Sequence, residues 1–200
     1  SRSSAASDVY KRQVPDLVSD PRDSDAHTEE VAKLLPGLVH EDQSALILFT
    51  SWRQLNGVIR LLPDSLSQLL LVQGDDAKQV LISRHRENVL KGKSSFLVGL
   101  ASFAEGLDLP GNLCRHVIIA KIPFAVPDDP IDQTVAEFLE SQGRNPFYEM
   151  SLPDAALKLV QACGRLIRNE HDYGKITLLD RRIVTKSYGQ LLLNTLPPSR

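Results

Sequence analysis

The sequence predicts an α/β domain built on a parallel sheet with helices on both faces. Two observations carry that prediction. Five apolar runs have the length of buried strands, and stretches with helical periodicity separate them, as in repeated strand–helix units. The runs are residues 45–50, 69–73, 95–100, 116–122 and 174–180. The apolar fraction of 42% is enough to fill a core of that size.

Six helices are expected between and around these strands. Thr28 is a plausible N-cap for a short helix that ends at Leu35, before Pro36-Gly37. Thr50 or Ser51 can cap the helix that follows the first strand. The spacing of apolar residues predicts the others, the last of which is interrupted by Gly189. These helices span residues 28–35, 52–62, 80–90, 131–140, a run beginning near 152, and 183–193.

The first residues look foreign to the domain. Residues 4–13 resemble the translation of a sequencing adapter, so residues 1–13 are expected to be a non-native leader and are left out of the fold. The alternative is a genuine disordered N-terminus. Residues 14–40 are expected to be a partly structured lead-in, and residues 41–198 the domain proper, as a fragment of a longer protein.

Composition excludes several classes of function. The net charge of −2 gives no global basic field, so any contact with nucleic acid must be local. Cys114 and Cys163 are too few for a four-cysteine metal site, and they are predicted to be buried free thiols. Two cysteines do not suggest a disulfide framework, which favours a reducing cytosol. No apolar run is long enough to span a membrane and no signal peptide is visible.

The most informative short motif is Q-A-C-G-R-L-I-R at residues 161–168. Arg165 and Arg168 are three residues apart, so on a helix they share a face. Two guanidinium groups on one face can bind phosphate oxygens in a bidentate way. Gly164 weakens a helix and makes sense where a ligand or backbone comes close. The alternative is an ordinary helix with two solvated arginines.

A second motif follows the third predicted strand, at residues 101–111. Glu105 and Asp108 alternate with Gly106 and Gly111 at a strand-to-loop junction. Such carboxylates suit a ribose, a metal-bound water or the surroundings of a phosphate, and the alternative is a plain turn.

The order of these motifs is more specific than any one of them. It runs from T-S-W-R at 50–53 through V-Q-G-D at 72–75, the two motifs above and D-R-R-I-V-T-K-S-Y-G at 180–189. Over residues 40–197 the chain resembles the C-terminal RecA-like domain of the DinG family of ATP-dependent DNA helicases. These are superfamily 2 enzymes related to XPD, with YoaA-like paralogues as a second match.

The resemblance implies a role for each motif. Arg165 and Arg168 would be catalytic and reach the γ-phosphate of ATP. The implied ATP-binding residues are Gln161, Gly164, Glu105, Gly106 and Asp108, and the implied DNA-binding residues are Thr50, Ser51, Ser102 and Phe103. No metal ligand is assigned. ATP and Mg²⁺ are the implied cofactors, and a 4Fe-4S cluster is implied only in the N-terminal half.

The resemblance also implies partners. They are single-stranded, forked or R-loop DNA and the N-terminal RecA-like domain of the same protein, in a monomer of the bacterial cytoplasm that associates with the nucleoid during repair. This sequence contains no G-x-x-x-x-G-K-[ST] loop and no D-E-x-H box. It is therefore expected to be half an ATP site, inactive by itself.

Some alternatives remain open at this stage. The chain is a helicase motor domain, a helicase domain fused to an upstream exonuclease, or a non-catalytic binding module with a decayed site. Trp52 either stacks on a base or packs locally. Arg181, Arg182 and Lys186 either line a DNA channel or are ordinary charged residues at the surface. His85, His116 and His171 are expected to be surface or hydrogen-bonded histidines rather than ligands.

Overall fold

A computed structural model describes residues 10–126, 128–164 and 174–196 of the chain. In these ranges six strands form one parallel sheet in the order β1-β6-β5-β2-β4-β3. The alternation predicted from the sequence is confirmed. The strands are β1 (Tyr10–Gln13), β2 (Ser44–Phe49), β3 (Leu70–Val72), β4 (Ser95–Leu100), β5 (His116–Ile119) and β6 (Gly174–Leu178).

The helices lie on both faces of this sheet. A 3₁₀ turn spans Gly111–Leu113 and a π-helical turn spans Phe147–Ser151. The α-helices are α1 (Ser24–Val39), α2 (Trp52–Leu61), α3 (Asp64–Ser67), α4 (Lys78–Leu90), α5 (Ala101–Ala104), α6 (Pro130–Ser141), α7 (Leu152–Cys163), α8 (Arg182–Thr185) and α9 (Ser187–Thr195).

The core has two layers because side chains alternate along each strand. On β2, Leu46 and Leu48 belong to the layer beneath α4, α7 and α9. Ala45, Ile47 and Phe49 belong to the layer beneath α1, α2 and α3. All six residues of β2 are buried, which places this strand at the centre of the fold.

Strand β1 is not predicted from the sequence, because residues 1–13 are expected to lie outside the fold. It pairs in parallel with β6, and Gln13 Nε2 donates to Thr177 Oγ1 at 2.7 Å. Arg12 also donates to the Leu193 carbonyl at 2.9 Å. A sheet edge offers unpaired N–H and C=O groups to almost any extended segment, so apolar patterning does not reveal this strand. The foreign origin of residues 1–13 stays a prediction.

Helix α1 is longer than predicted at both ends. Its N-cap is Asp23, whose carboxylate accepts the Ala26 N–H at 3.2 Å, rather than Thr28. It also continues through Pro36 to Val39. A proline in the last turns costs the hydrogen bond it cannot donate, and burial of Leu35 and Val39 on the sheet offsets that loss.

The predicted final helix is two helices, and the break falls at Lys186 rather than Gly189. Gly189 lies inside α9, where a Cβ would come within 1.9 Å of the Ile183 carbonyl oxygen. The glycine therefore permits the close approach of α9 to α8 and does not interrupt the helix.

The predicted buried thiols and the two described histidines are confirmed. Cys114 and Cys163 are free and buried, and burial raises the pKa of each to about 12. His85 donates from Nε2 to the Leu113 carbonyl at 2.7 Å and contacts Ser95 Oγ at 2.8 Å. His116 lies between Asp42 and Thr177. His171 falls outside the described residues.

At the amino edge of the sheet, Asp42 anchors the starts of β5 and β6. Its carboxylate contacts His116 and, at 2.9 Å, Lys175 Nζ. Burial opposes the charge of Asp42, but these two partners outweigh it and lower the pKa of the carboxyl. Among the described helices, none is both long and apolar enough to cross a bilayer.

Candidate functional site

The candidate site lies where the parallel strands end. Strands β2 and β4 lead directly into Thr50 and α5, so their carboxyl ends open on the same side of the sheet, where ligands bind in open α/β folds. A cavity of about 380 Å³ occupies this position. Its polar lining comes from separate segments of the chain and comprises Thr50, Ser102, Glu105, Lys158 and Gln161.

The segment after β2 presents two hydroxyl groups at this edge. Thr50 and Ser51 are both exposed. Ser51 is the N-cap of α2, and its Oγ accepts the Gln54 N–H at 3.2 Å. The expected cap is therefore confirmed and assigned to Ser51, while Thr50 lines the cavity.

Of the two residues predicted to bind DNA after β4, Phe103 is buried and Ser102 is exposed. The Phe103 side chain is only 4% exposed, so its ring offers almost no surface to DNA. A Cβ on Gly99 would lie 2.6 Å from that ring, which shows how closely the ring packs on β4. Ser102, by contrast, is exposed and lines the cavity. Phe103 thus anchors the turn in the core, while Ser102 faces the cavity.

The predicted carboxylates lie on the loop that follows α5. Gly106 adopts a φ of +73°, a conformation that favours glycine. Leu107 is fully buried and anchors the loop, whereas Glu105 and Asp108 are exposed. Glu105 lines the cavity, and Lys78 Nζ donates to its backbone carbonyl at 2.6 Å. Gly106 and Asp108 lie outside the lining of the cavity.

Helix α7 brings the third segment to the site. Gln161 is exposed near its C-terminal end and lines the cavity. Gly164 is the exposed C-cap, and its N–H donates to the Val160 carbonyl at 2.9 Å. Arg165 and Arg168 lie outside the described residues, so the two predicted catalytic groups are not placed. The structure therefore brings together Thr50, Ser102, Glu105 and Gln161.

Two cations near this edge were missed by the sequence analysis. Lys158 lines the cavity and pairs with Asp154 at 3.0 Å. It lies three residues before Gln161, so helical spacing could have revealed the shared face. Lys121, after β5, lies near Arg182. Burial first, and then that neighbouring charge, lower the pKa of Lys121.

An ion pair between Asp180 and Arg182 lies at the carboxyl ends of β5 and β6. Asp180 is 1% exposed, and its carboxylate accepts Arg182 Nη2 at 2.6 Å and the Ile122 N–H at 2.9 Å. Burial opposes the charge of Arg182, but the hydrogen bonds to Asp180 outweigh it and raise its pKa. The sequence motif D-R-R contains both residues without showing that they pair with each other.

The sequence of this chain matches a known protein family. Residues 37–199 match the model described as "Helicase C-terminal domain", which is most of the chain. The chain belongs to the helicase C-terminal domain family. Together with the DinG relatives below, this match confirms the resemblance that the motifs indicate.

Among curated proteins, the ATP-dependent DNA helicase DinG of Photobacterium profundum is 44% identical over 188 residues. That alignment covers 92% of this chain and 27% of the relative. DinG of Escherichia coli K12 is 45% identical over 152 residues, covering 76% of this chain and 21% of the relative. The chain thus spans about a quarter of the length of these relatives.

Solved structures show the same fold. An XPD helicase superposes with a TM-score of 0.73 at 23% identity, covering 94% of this chain and 34% of that chain. The helicase MrfA, in a DNA-bound crystal structure, superposes with a TM-score of 0.52 at 14% identity, covering 95% of this chain and 22% of that chain. The predicted RecA-like α/β fold is confirmed.

Proposed function

We propose that this chain is the C-terminal motor domain of an ATP-dependent DNA helicase, and that its carboxyl-edge cavity forms one side of the nucleotide and DNA sites. One observation supports the proposal most directly. Three segments far apart in sequence, at Thr50, Ser102–Glu105 and Gln161, meet at a single cavity. These segments belong to three of the motifs on which the resemblance rests, at residues 50–53, 101–111 and 161–168.

The polar groups of the cavity suit a nucleotide. The Gln161 amide and the Lys158 ammonium can donate to phosphate oxygens. The Glu105 carboxylate suits a ribose hydroxyl or a water bound to Mg²⁺. Magnesium is commonly held by one or two carboxylates together with the phosphates. In the described ranges no group of three or more His, Cys, Asp or Glu side chains is placed to hold a metal ion.

Arg165 and Arg168 are proposed as the groups that reach the γ-phosphate. In the sequence they follow Gly164, the C-cap of α7, and Gln161 and Ala162 of that helix line the cavity. As the phosphoryl group transfers, negative charge spreads over its oxygens, and a guanidinium stabilises that charge. Arginine fingers in other phosphoryl-transfer enzymes raise turnover by about 10³–10⁵-fold. The Gln161 amide would donate a hydrogen bond to the same phosphate. Gly106, Asp108 and Gly164 would shape the loop and helix end around the nucleotide.

The DNA-binding part of the proposal rests on Thr50, Ser51 and Ser102. Their hydroxyl groups are on exposed residues at the same edge, as backbone contacts to phosphates require. The remaining partner would be a preceding RecA-like half of the same polypeptide, which would supply the phosphate-binding loop and any 4Fe-4S cluster. A monomer acting on single-stranded, forked or R-loop DNA in the bacterial cytoplasm completes the proposal.

The test is DNA-stimulated ATP hydrolysis by a chain extended upstream to include that preceding half. Arg168→Ala should lower turnover by about 10³-fold or more, with binding of ATP and single-stranded DNA little changed. Arg60→Ala, which removes an exposed arginine from α2, is the matched control and should turn over normally.

Two results would count against the proposal. Unchanged turnover in Arg168→Ala would show that this motif does not perform the chemistry, and would favour a non-catalytic binding module. DNA-stimulated hydrolysis by the 200-residue chain alone would contradict the statement that it contains only half of an ATP site.

A further inference from the structure

A second, basic groove lies at the same edge of the sheet, beyond the end of β6. Its volume is about 330 Å³, within the range of small-ligand sites. Its lining includes the cations Arg22, Arg181, Arg182 and Lys186. Among the described residues, Asp20 in the lining pairs with Arg22 and Asp180 behind it pairs with Arg182, so the charges of Arg181 and Lys186 remain uncompensated by these carboxylates. The groove is therefore positive on a chain whose net charge is −2.

The walls of this groove are held in place by contacts with fixed groups. The Arg182 guanidinium is clamped by Asp180 and lies 5.3 Å from the centre of the Phe124 ring. Arg181 donates from Nη1 to the Val18 carbonyl at 2.9 Å, which fixes the direction of a side chain carrying five N–H donors. Lys186, between α8 and α9, is exposed.

The groove is continuous with the candidate helicase site. Arg182 also lines an intermediate cavity of about 370 Å³, where Thr50, Ser51 and Lys121 contribute polar groups. That cavity shares Thr50 and Phe124 with the 380 Å³ cavity of the site. A trough with hydroxyl groups at one end and cations at the other therefore follows the carboxyl edge from β2 to β6.

We propose that the basic groove binds the phosphate backbone of a single-stranded polynucleotide that continues from Thr50 and Ser51 toward Arg181 and Lys186. This inference rests on the proposed helicase function and adds a binding surface to it. Hydroxyl groups and cations along a trough provide contacts that do not depend on base sequence. Tyr188 lines the groove, but its ring packs against Phe124 and Phe147, so it forms the wall.

The experiment measures binding of a fluorescent oligothymidylate by the chain as a function of salt. A cation that neutralises one phosphate of a single strand contributes about 0.7 to the slope of log K against log salt. The double variant Arg181→Gln/Lys186→Gln should therefore reduce the slope by about 1.4. Because the electrostatic contribution vanishes near 1 M salt, a slope smaller by about 1.4 corresponds to an affinity about 25-fold lower at 0.1 M salt.

The matched control removes two charges from the opposite edge of the sheet. Lys91 and Lys93 are exposed in the turn that precedes β4, so Lys91→Gln/Lys93→Gln should leave the slope unchanged. Equal losses in both double variants would overturn the proposal, because they would reflect net charge alone. Wild-type slope and affinity in Arg181→Gln/Lys186→Gln would overturn it as well, and would leave the groove to an acidic protein partner.

Failure of this inference is distinguishable from failure of the proposed function. In the extended protein, loss of turnover in Arg168→Ala together with unaltered DNA binding in Arg181→Gln/Lys186→Gln would reject the groove and keep the helicase site. Normal turnover in Arg168→Ala would reject the proposed function by itself, whatever the groove variants do.

Discussion

Asp180 accepts the backbone N–H of Ile122 at 2.9 Å, and so joins the end of β6 to the chain leaving β5. The same carboxylate holds the half-buried guanidinium of Arg182. Arg182 lines both the intermediate cavity and the basic groove, so the pair holds in place a side chain that the two share. Asp180 therefore contributes both to the stability of the domain and to the shape of the carboxyl edge of the sheet.

Replacing Asp180 by Asn should destabilise the domain by about 1–3 kcal/mol, the usual cost of removing one hydrogen-bond partner and leaving the other unsatisfied, because Arg182 is only half-buried. Urea denaturation followed by circular dichroism measures this loss. Glu87→Gln, which removes the partner of Lys91 in an exposed pair, is the control and should leave the midpoint unchanged. Equal midpoints for Asp180→Asn and wild type would show that the pair is not structurally important.

Replacing Gly99 by Ala should cost about 1–3 kcal/mol, the usual range for overpacking a core. The new Cβ would lie 2.6 Å from the Phe103 ring and 2.8 Å from Gln73 Oε1. Gly37→Ala is the matched control, since nothing lies within 4 Å of its Cβ position. In helix α1 that substitution should be neutral or stabilising by up to about 1 kcal/mol. Thermal melts compare the two, and similar effects would contradict the tight packing of β4 on Phe103.

Folding stability should fall with decreasing pH because of His85. Burial lowers the pKa of His85 below its ordinary 6.5, against a smaller opposing effect of the Leu113 carbonyl. Below pH 6.5 the unfolded state therefore binds the proton more readily than the folded state, and stability is lost as the pH falls toward the folded pKa.

Urea midpoints at pH about 7.5 and about 5.5 measure this dependence, the two values lying on either side of the ordinary histidine pKa. The difference between them should shrink in His85→Gln and persist in His40→Gln, since His40 is exposed at the end of α1. A difference that is identical in wild type and His85→Gln would rule out His85 as its source.

The two thiols should react slowly in the native state. Cys114 and Cys163 are buried, and their pKa values of about 12 leave little thiolate at pH 8. Ellman's reagent should modify both within minutes in denaturant, and far more slowly without it. Rapid modification of a thiol in the native protein would show that the core opens locally around it.

Gln161 should affect turnover but not folding. Its exposed amide lines the cavity, and hydrogen bonds to charged groups contribute about 1.5–3 kcal/mol. In the extended protein, Gln161→Ala should therefore lower ATP turnover by about 10–150-fold, with an unchanged melting temperature. Gln190→Ala, an exposed position on α9, is the control. Equal turnover in both variants would remove Gln161 from the nucleotide site.

Much of the architecture could be predicted because burial leaves a direct trace in the sequence. Strands β2, β4 and β5 are buried on both faces, so they appear as continuous apolar runs. Motif order then identified the family. Strand β1 left no such trace, since an edge strand is held by backbone pairing. The extent of α1 through Pro36 also depended on tertiary packing, which local preference does not include.

By itself, the sequence determined the parallel α/β sheet and the resemblance to helicase C-terminal domains. Tertiary structure alone decided which of the predicted site residues share a cavity, and it separated Ser102, at the surface, from Phe103, in the core. It also paired Asp180 with Arg182 and made one trough of segments from β2 to β6. The physical reason is that apolar burial is encoded residue by residue, whereas contacts between polar groups distant in sequence depend on how the strands pair and where they end.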